Sequence, residues 1–379
     1  MASHDTSYYD IVSRAGWYHR QVRPAAAILL VVLAAAASVP AQRRSTASLS
    51  RSGWDAINSG RALDAATAFE EALQQAPQDP GLLLGAGIAA HLLGRADVAR
   101  RNLVGALKFN PALSAASLLL GEVLYQSGDV DGAITVYEQA LPHAPANAQF
   151  SRKLESWRRE MALHGSFARR LGDHFTVLFE GPAEAQLAER AVAILEAAYW
   201  RIGTALFTYP TETITVVLYT REQFQDITQS PAWAGGAFDG RIRLPVQGAL
   251  KNPREFERVL AHEFTHAVVR SIAPRGVPVW LDEGLAVQFE GGDLEQKRAQ
   301  VSAARDLPTL DRLERSFATL PDAAARLAYA QSAVAVDTLL KEAGAPALVN
   351  LLTDIGNGVP FAEAFGLRMS IPYDEFQRR

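Results

Sequence analysis

Two histidines four residues apart, with a glutamate directly after the first, are the residues best suited to chemistry in this 379-residue chain: His262-Glu263-Phe264-Thr265-His266. On an α-helix, residues at that spacing stack one turn apart on one flank, so both imidazoles can reach a single metal ion. Glu263 then stands beside the open coordination position, where a carboxylate can act on a water molecule. The helix that must present them is well signalled. Asn252 can cap it, Pro253 suits its first turn, and Glu255 completes a capping-box arrangement. Phe256, Leu260, Phe264 and Ala267 form the apolar stripe that holds such a helix to a core. The plain alternative is a pair of satisfied surface histidines.

A zinc site that keeps one position open for water needs a third protein ligand. The segment Val279-Trp280-Leu281-Asp282-Glu283-Gly284-Leu285-Ala286 supplies a candidate, and Pro274, Gly276 and Pro278 interrupt the chain before it so that a second helix can turn back on the first. Glu283 lies 17 residues after His266. HExxH followed at this distance by W-L-x-E-G-L-A resembles the gluzincin (peptidase MA-like) zinc metallopeptidases, especially a small family whose catalytic domain often travels with an N-terminal repeat array. The resemblance extends over residues 170–379, with its strong motifs between 262 and 286.

That resemblance implies one Zn2+ ion held by His262, His266 and Glu283, a peptide or protein substrate, and Glu263 as general base. Asp282 competes for the third ligand position, but neighbouring helical residues point about 100° apart, so it faces away if Glu283 faces the ion. Tyr329, in Tyr329-Ala330-Gln331-Ser332, is the implied support for an oxyanion, with a core tyrosine as the equal alternative and His174 as a remote one. Two positions depart from better-known relatives. Thermolysin-like enzymes carry an Asp four residues after the third ligand, where this chain has Val287, so the groups that orient the ligands must differ. Gly236-Ala237-Phe238-Asp239-Gly240 is only weakly similar to the amine-gripping strand of neutral aminopeptidases. The Gly240–Pro245 segment is a further candidate, for holding an extended substrate by strand addition.

Upstream, Pro77, Pro111 and Pro145 stand 34 residues apart. Gly53, Gly87 and Gly121 share one phase, Gly60, Gly94 and Gly128 another, and Ala65, Ala99 and Ala133 a third. Ala72, Ala106 and Ala140 repeat as well, and Phe69, Leu103 and Tyr137 fill one large apolar position. Antiparallel helix pairs account for this: small residues for close approach, a glycine to end the first helix, a proline to stop the second. The pattern resembles the tetratricopeptide repeat, with three units and a capping helix over Asn147–Leu163. Such arrays offer a concave face to peptides or protein partners; a rigid spacer is the alternative.

The expected organisation is therefore multidomain: a signal peptide or short membrane anchor over 1–41, an all-α tetratricopeptide solenoid over 46–165, and an α+β gluzincin-type domain over 170–379. Arg14, Arg20 and Arg23 precede the apolar run Ala25–Ala37, and Val39-Pro40-Ala41 gives a small-residue exit. Thirteen helical residues reach about 20 Å, short of a bilayer core. An exported protein, periplasmic or extracellular, follows, with any membrane contact confined to that segment. Phe175–Phe179 and Ile214–Tyr219 read as strands, Ala183–Leu206 as a helix, and Arg241-Ile242-Arg243-Leu244 as an edge strand with one solvated face.

Hydrophobic residues at 49% and charged residues at 21% suit a globular protein, and a net charge of −4 gives no electrostatic reason to expect nucleic acid. The chain has 0 cysteines, which excludes thiolate catalysis and Cys-ligated zinc. The leading reading is an exported zinc peptidase with an interaction array. A repeat-based scaffold with a silent metal domain, or a hydrolase acting on something other than peptides, are the alternatives. N-terminal sequencing of exported material is expected to begin at Gln42; material retaining residue 1 in the membrane fraction identifies the segment as an anchor.

Overall fold

The computed structural model describes residues 44–143, 148–230, 234–246, 249 and 252–378. The N-terminal apolar run and Pro145 lie outside them, and no helix among the described residues is long and apolar enough to cross a membrane. Six helices form three antiparallel pairs: α1 (Thr46–Asn58) with α2 (Ala62–Gln75), α3 (Pro80–Leu92) with α4 (Ala96–Phe109), and α5 (Ser114–Gln126) with α6 (Val130–Ala140). A seventh, α7 (Ala148–His164), closes the stack. Gly60, Gly94 and Gly128 sit between the helices of each pair at φ +72°, +68° and +90°, the left-handed turn that ends the first helix. The small and large positions meet inside each repeat. A Cβ at Gly53 would lie 2.7 Å from the Phe69 ring, one at Gly87 2.8 Å from Leu103, and one at Gly121 would strike Tyr137. The period in the sequence is thus a packing code, in which bulk on the second helix needs an absence on the first.

After the array the chain builds a five-stranded sheet in the order β1-β2-β3-β5-β4. Strands β1 (Ala168–Leu171) and β2 (Phe175–Phe179) pair antiparallel. Helix α8 (Ala185–Ala205) then crosses over to β3 (Ile214–Tyr219), which runs parallel to β2. After α9 (Arg221–Thr228), β4 (Ala237–Phe238) turns back as an antiparallel edge on β5 (Ile242–Pro245), itself parallel to β3. Strands and helices are therefore mixed rather than wholly segregated, because parallel neighbours require a crossover. Seven helices follow the sheet: α10 (Pro253–Ile272), α11 (Val279–Phe289), α12 (Leu294–Ala303), α13 (Asp322–Glu342), α14 (Gly344–Gly356), α15 (Phe361–Met369) and α16 (Tyr373–Arg378). One sheet face, with Val177, Val216, Leu218, Ile242 and Leu244, joins α8, α10 and α11 in a single core.

The other face overturns one expectation. Arg241-Ile242-Arg243-Leu244 alternates as expected, but β5 lies between β3 and β4, and both arginines are buried. The face taken as solvated is covered by the end of the repeat array. Glu160 of α7 accepts from Arg241 at 2.7 Å and from Arg243 at 2.8 Å. Arg243 also donates to Tyr125 of α5 at 2.9 Å and to Tyr219 of β3 at 2.8 Å, and pairs with Asp239 at 3.0 Å. Against the cost of burial, the Arg243 guanidinium and the Tyr125 hydroxyl hold the Glu160 carboxyl below its ordinary value. Its contribution to stability is complete above the normal carboxylate range and is lost as pH falls through that lower value. Ile242 and Arg243 are already paired to β4, which with β1 forms the edges of the sheet, so that stretch of Gly240–Pro245 has no free edge to offer an extended chain.

Removing one partner of a buried ion pair strands the other. Arg243→Ala is expected to lower the stability of the full chain by about 3–5 kcal/mol in urea unfolding. Arg159→Ala, which breaks an exposed 3.6 Å pair with Asp226, should cost under about 1 kcal/mol.

Candidate metal centre

Helix α10 starts where Asn252 Oδ1 accepts from the Glu255 backbone N–H at 3.3 Å, with Pro253 in its first turn. The Glu255 side chain does not reach back to complete the box; it pairs with Arg258 at 2.6 Å. Phe256, Leu260, Phe264 and Ala267 are buried as the stripe requires, and that orientation leaves His262 and His266 on the flank facing α11. The connection from Ala273 to Pro278 carries Gly276 at φ +83°, and it returns α11 alongside α10. Gly284 has a separate role: a Cβ there would strike the Ser332 carbonyl of α13, so glycine permits the close approach that brings Tyr329 to the site.

Glu283 Oε2 is buried 3.3 Å from His262 Nε2 and 3.6 Å from His266 Nε2, with no well-formed hydrogen bond among the described residues. One ligand atom from each of these residues lies within 4.8 Å of the others. A buried carboxylate oxygen facing two ring nitrogens fits a cation, and the donor set of two imidazoles and one carboxylate suits zinc. Glu263 is buried in the same cleft, and burial raises its pKa against the opposing charges of His262 and His266. The Gly236 backbone closes over it, since a Cβ there would come within 2.6 Å of Glu263 Oε1. Cavities of about 260 Å³ and 440 Å³ flank the site and share His262, Glu263, Glu283 and Tyr329.

The Peptidase MA superfamily model matches residues 199–372. The chain carries a Peptidase MA superfamily domain. Tetratricopeptide repeat models match residues 51–102 and 90–155, so repeats precede it. Two solved structures similar to the array are the NMR structure of the first TPR domain of the human RPAP3 protein and the first TPR of Spaghetti (RPAP3) bound to the HSP90 peptide SRMEEVD. The former is 20% identical, with 31% of this chain and 92% of that chain covered at a TM-score of 0.29. The latter is 19% identical, with 32% and 98% covered at a TM-score of 0.30. No curated protein matches the chain.

In the peptidase MA domain the orienting groups absent at Val287 are found elsewhere. Glu290, at the end of α11 and two turns beyond Glu283, contacts His262 Nδ1 at 2.9 Å and is itself held by Arg258 at 2.6 Å. The seven-residue spacing from Glu283 was a readable helical signal for it. Asp282 does not join the three facing atoms; it contacts His266 Nδ1 at 3.0 Å from behind. The competitor for the ligand position thus stands behind a candidate ligand rather than beside it. Tyr329 lines both cavities, its hydroxyl contacts Glu283, and burial with the neighbouring carboxylates raises its pKa. His174 is elsewhere, 2.6 Å from Glu196 and stacked on Tyr199, and is absent from the cleft wall.

Burial opposes charge on both imidazoles, but the flanking carboxylates prevail. Glu283 and Glu290 push His262 up to about 10, and Asp282 and Glu283 push His266 up to about 9. The carboxylates thus strengthen the hold of both rings on protons, and a cation entering the site would compete with those protons. Zinc titration in weak buffer at pH 7 is expected to release about two protons, with affinity rising toward pH 9. Glu290→Gln should weaken zinc binding by about 10–100-fold in a competitive chelator assay.

Proposed function

We propose that this protein is an exported zinc-dependent peptidase that hydrolyses peptide bonds by activating water, with a repeat array that contacts protein substrates or partners. The observation that carries this reading is the buried Glu283 oxygen set between two imidazole nitrogens, with a buried Glu263 carboxylate in the same cleft. The ion bound there would lower the pKa of water and polarise the scissile carbonyl. His262, His266 and Glu283 would hold it, while Glu290 and Asp282 fix the orientation of the two rings. Glu263, with its affinity for protons raised by burial, takes a proton from the attacking water and passes it to the leaving amine. Tyr329 keeps its proton well above neutral pH and offers that O–H to the oxyanion.

A purely structural site has no use for Glu263, which favours hydrolysis over a silent scaffold. The cavities on both sides of Glu263 leave room for a chain that continues past the cleaved bond in each direction. Export rests on the N-terminal basic and apolar pattern alone.

The test is Glu263→Gln. Zinc content should match wild type, while cleavage of unfolded casein falls by at least about 10²-fold. Chelation should abolish wild-type cleavage and added zinc restore it. Full activity in Glu263→Gln, or activity indifferent to chelation, overturns the assignment.

A further inference from the structure

Among the described residues Arg270, at the edge of the cleft, makes no ion pair, although it feels the charge of Asp282. Arg270 lies one turn beyond His266 on α10, four residues on, and so shares the flank that carries the histidines. It lines the 260 Å³ cavity beside Glu263 and Glu283. It also lines a groove of about 630 Å³ between the peptidase MA domain and the repeats. Arg270 and Phe238 are common to both, so groove and cavity join at this arginine. The groove's far wall is made by His91, Gln126 and Ser127 of the array.

The neighbouring acidic groups are engaged elsewhere. Asp282 contacts His266, and Asp239 is held by Arg243. Glu212 lines the groove, but among the described residues no carboxylate lies within ion-pair distance of Arg270. Opposite it, His91 is pushed down to about 4 by burial and by the charge of Arg270 itself, so it is neutral at pH 7 and cannot add a second positive charge. A guanidinium is charged at all accessible pH and offers five donors in a planar fork that matches a carboxylate. Arg270 is exposed where cavity and groove meet, so a substrate carboxylate can reach it.

We propose that Arg270 is a specificity-determining residue that binds a substrate carboxylate, selecting peptides with an acidic side chain or a free C-terminus beside the cleaved bond. This rests on the peptidase reading above. The substrate then runs from the metal cleft into the groove, and the repeat array forms one wall of its binding site.

The experiment measures binding and cleavage separately. Fluorescent peptides of neutral sequence carry one Glu walked through successive positions, each made with a free and an amidated C-terminus. Binding is read by anisotropy on the zinc-loaded Glu263→Gln protein, alone and combined with Arg270→Gln or Arg270→Lys. Arg270→Gln should retain zinc and weaken carboxylate-bearing peptides by about tenfold at positions on one side of the cleaved bond, the loss expected for one charge-assisted contact. Neutral amidated peptides should be unchanged, and Arg270→Lys, which keeps the charge but not the planar fork, should recover only part of the loss. Loss confined to free C-termini identifies terminal recognition; loss that follows the Glu identifies a side-chain subsite. Equal weakening of every peptide, or no weakening of any, overturns the role of Arg270 while casein cleavage by wild type leaves the peptidase reading standing. Absence of casein cleavage and of all peptide binding overturns both.

Discussion

A carboxylate oxygen buried between two imidazole nitrogens is the constraint around which the C-terminal domain is organised. Glu283 lies 3.3 Å and 3.6 Å from the two rings, and its charge can be met by protons on the rings or by a cation among the three groups. The neighbouring carboxylates push both histidines up, which favours the first course when no cation is bound. The same geometry suits the second course, because Glu290 bonds the outer nitrogen of His262 and Asp282 stands 3.0 Å from that of His266. A cation would compete with protons for this one arrangement.

That arrangement depends on close approaches that single residues permit. Gly284 lets α11 settle against α13, where any side chain would meet the Ser332 carbonyl. Gly236 lets backbone lie against the Glu263 carboxylate, so that this carboxylate is enclosed rather than solvated. Enclosure raises its proton affinity, which is what a base must have if it is to take a proton from water and return it to an amine.

The repeat array belongs to the same constraint. Glu160, Tyr125, Arg241 and Arg243 form a buried ionic cluster between the array and the sheet, and breaking a member leaves an unpaired charge without solvent. Such an interface holds one orientation rather than a range of them. The array stands as a wall beside the cleft, and the groove lined by His91, Gln126 and Arg270 lies between the two.

Much of this was legible in the residues alone. The 34-residue period followed from packing inside each repeat, where Gly53 accommodates Phe69 and Gly87 accommodates Leu103. The i, i+4 histidines and the apolar stripe on α10 are consequences of helical geometry and needed no tertiary knowledge. Helix period also placed Asp282 off the face of Glu283 and could have found Glu290 two turns on. What periodicity could not supply was the identity of the surface each face meets. The alternation in Arg241-Ile242-Arg243-Leu244 separates two faces without saying whether the charged one meets water or a second domain, and here it meets Glu160, more than 80 residues earlier. The pairing of Glu290 with His262, the approach of Tyr329 and the isolation of Arg270 are of the same kind. Local sequence sets the direction in which a side chain points, through the periods of helix and strand. Only the folded chain decides what stands opposite it, because those partners arrive from distant segments through packing that no local pattern encodes.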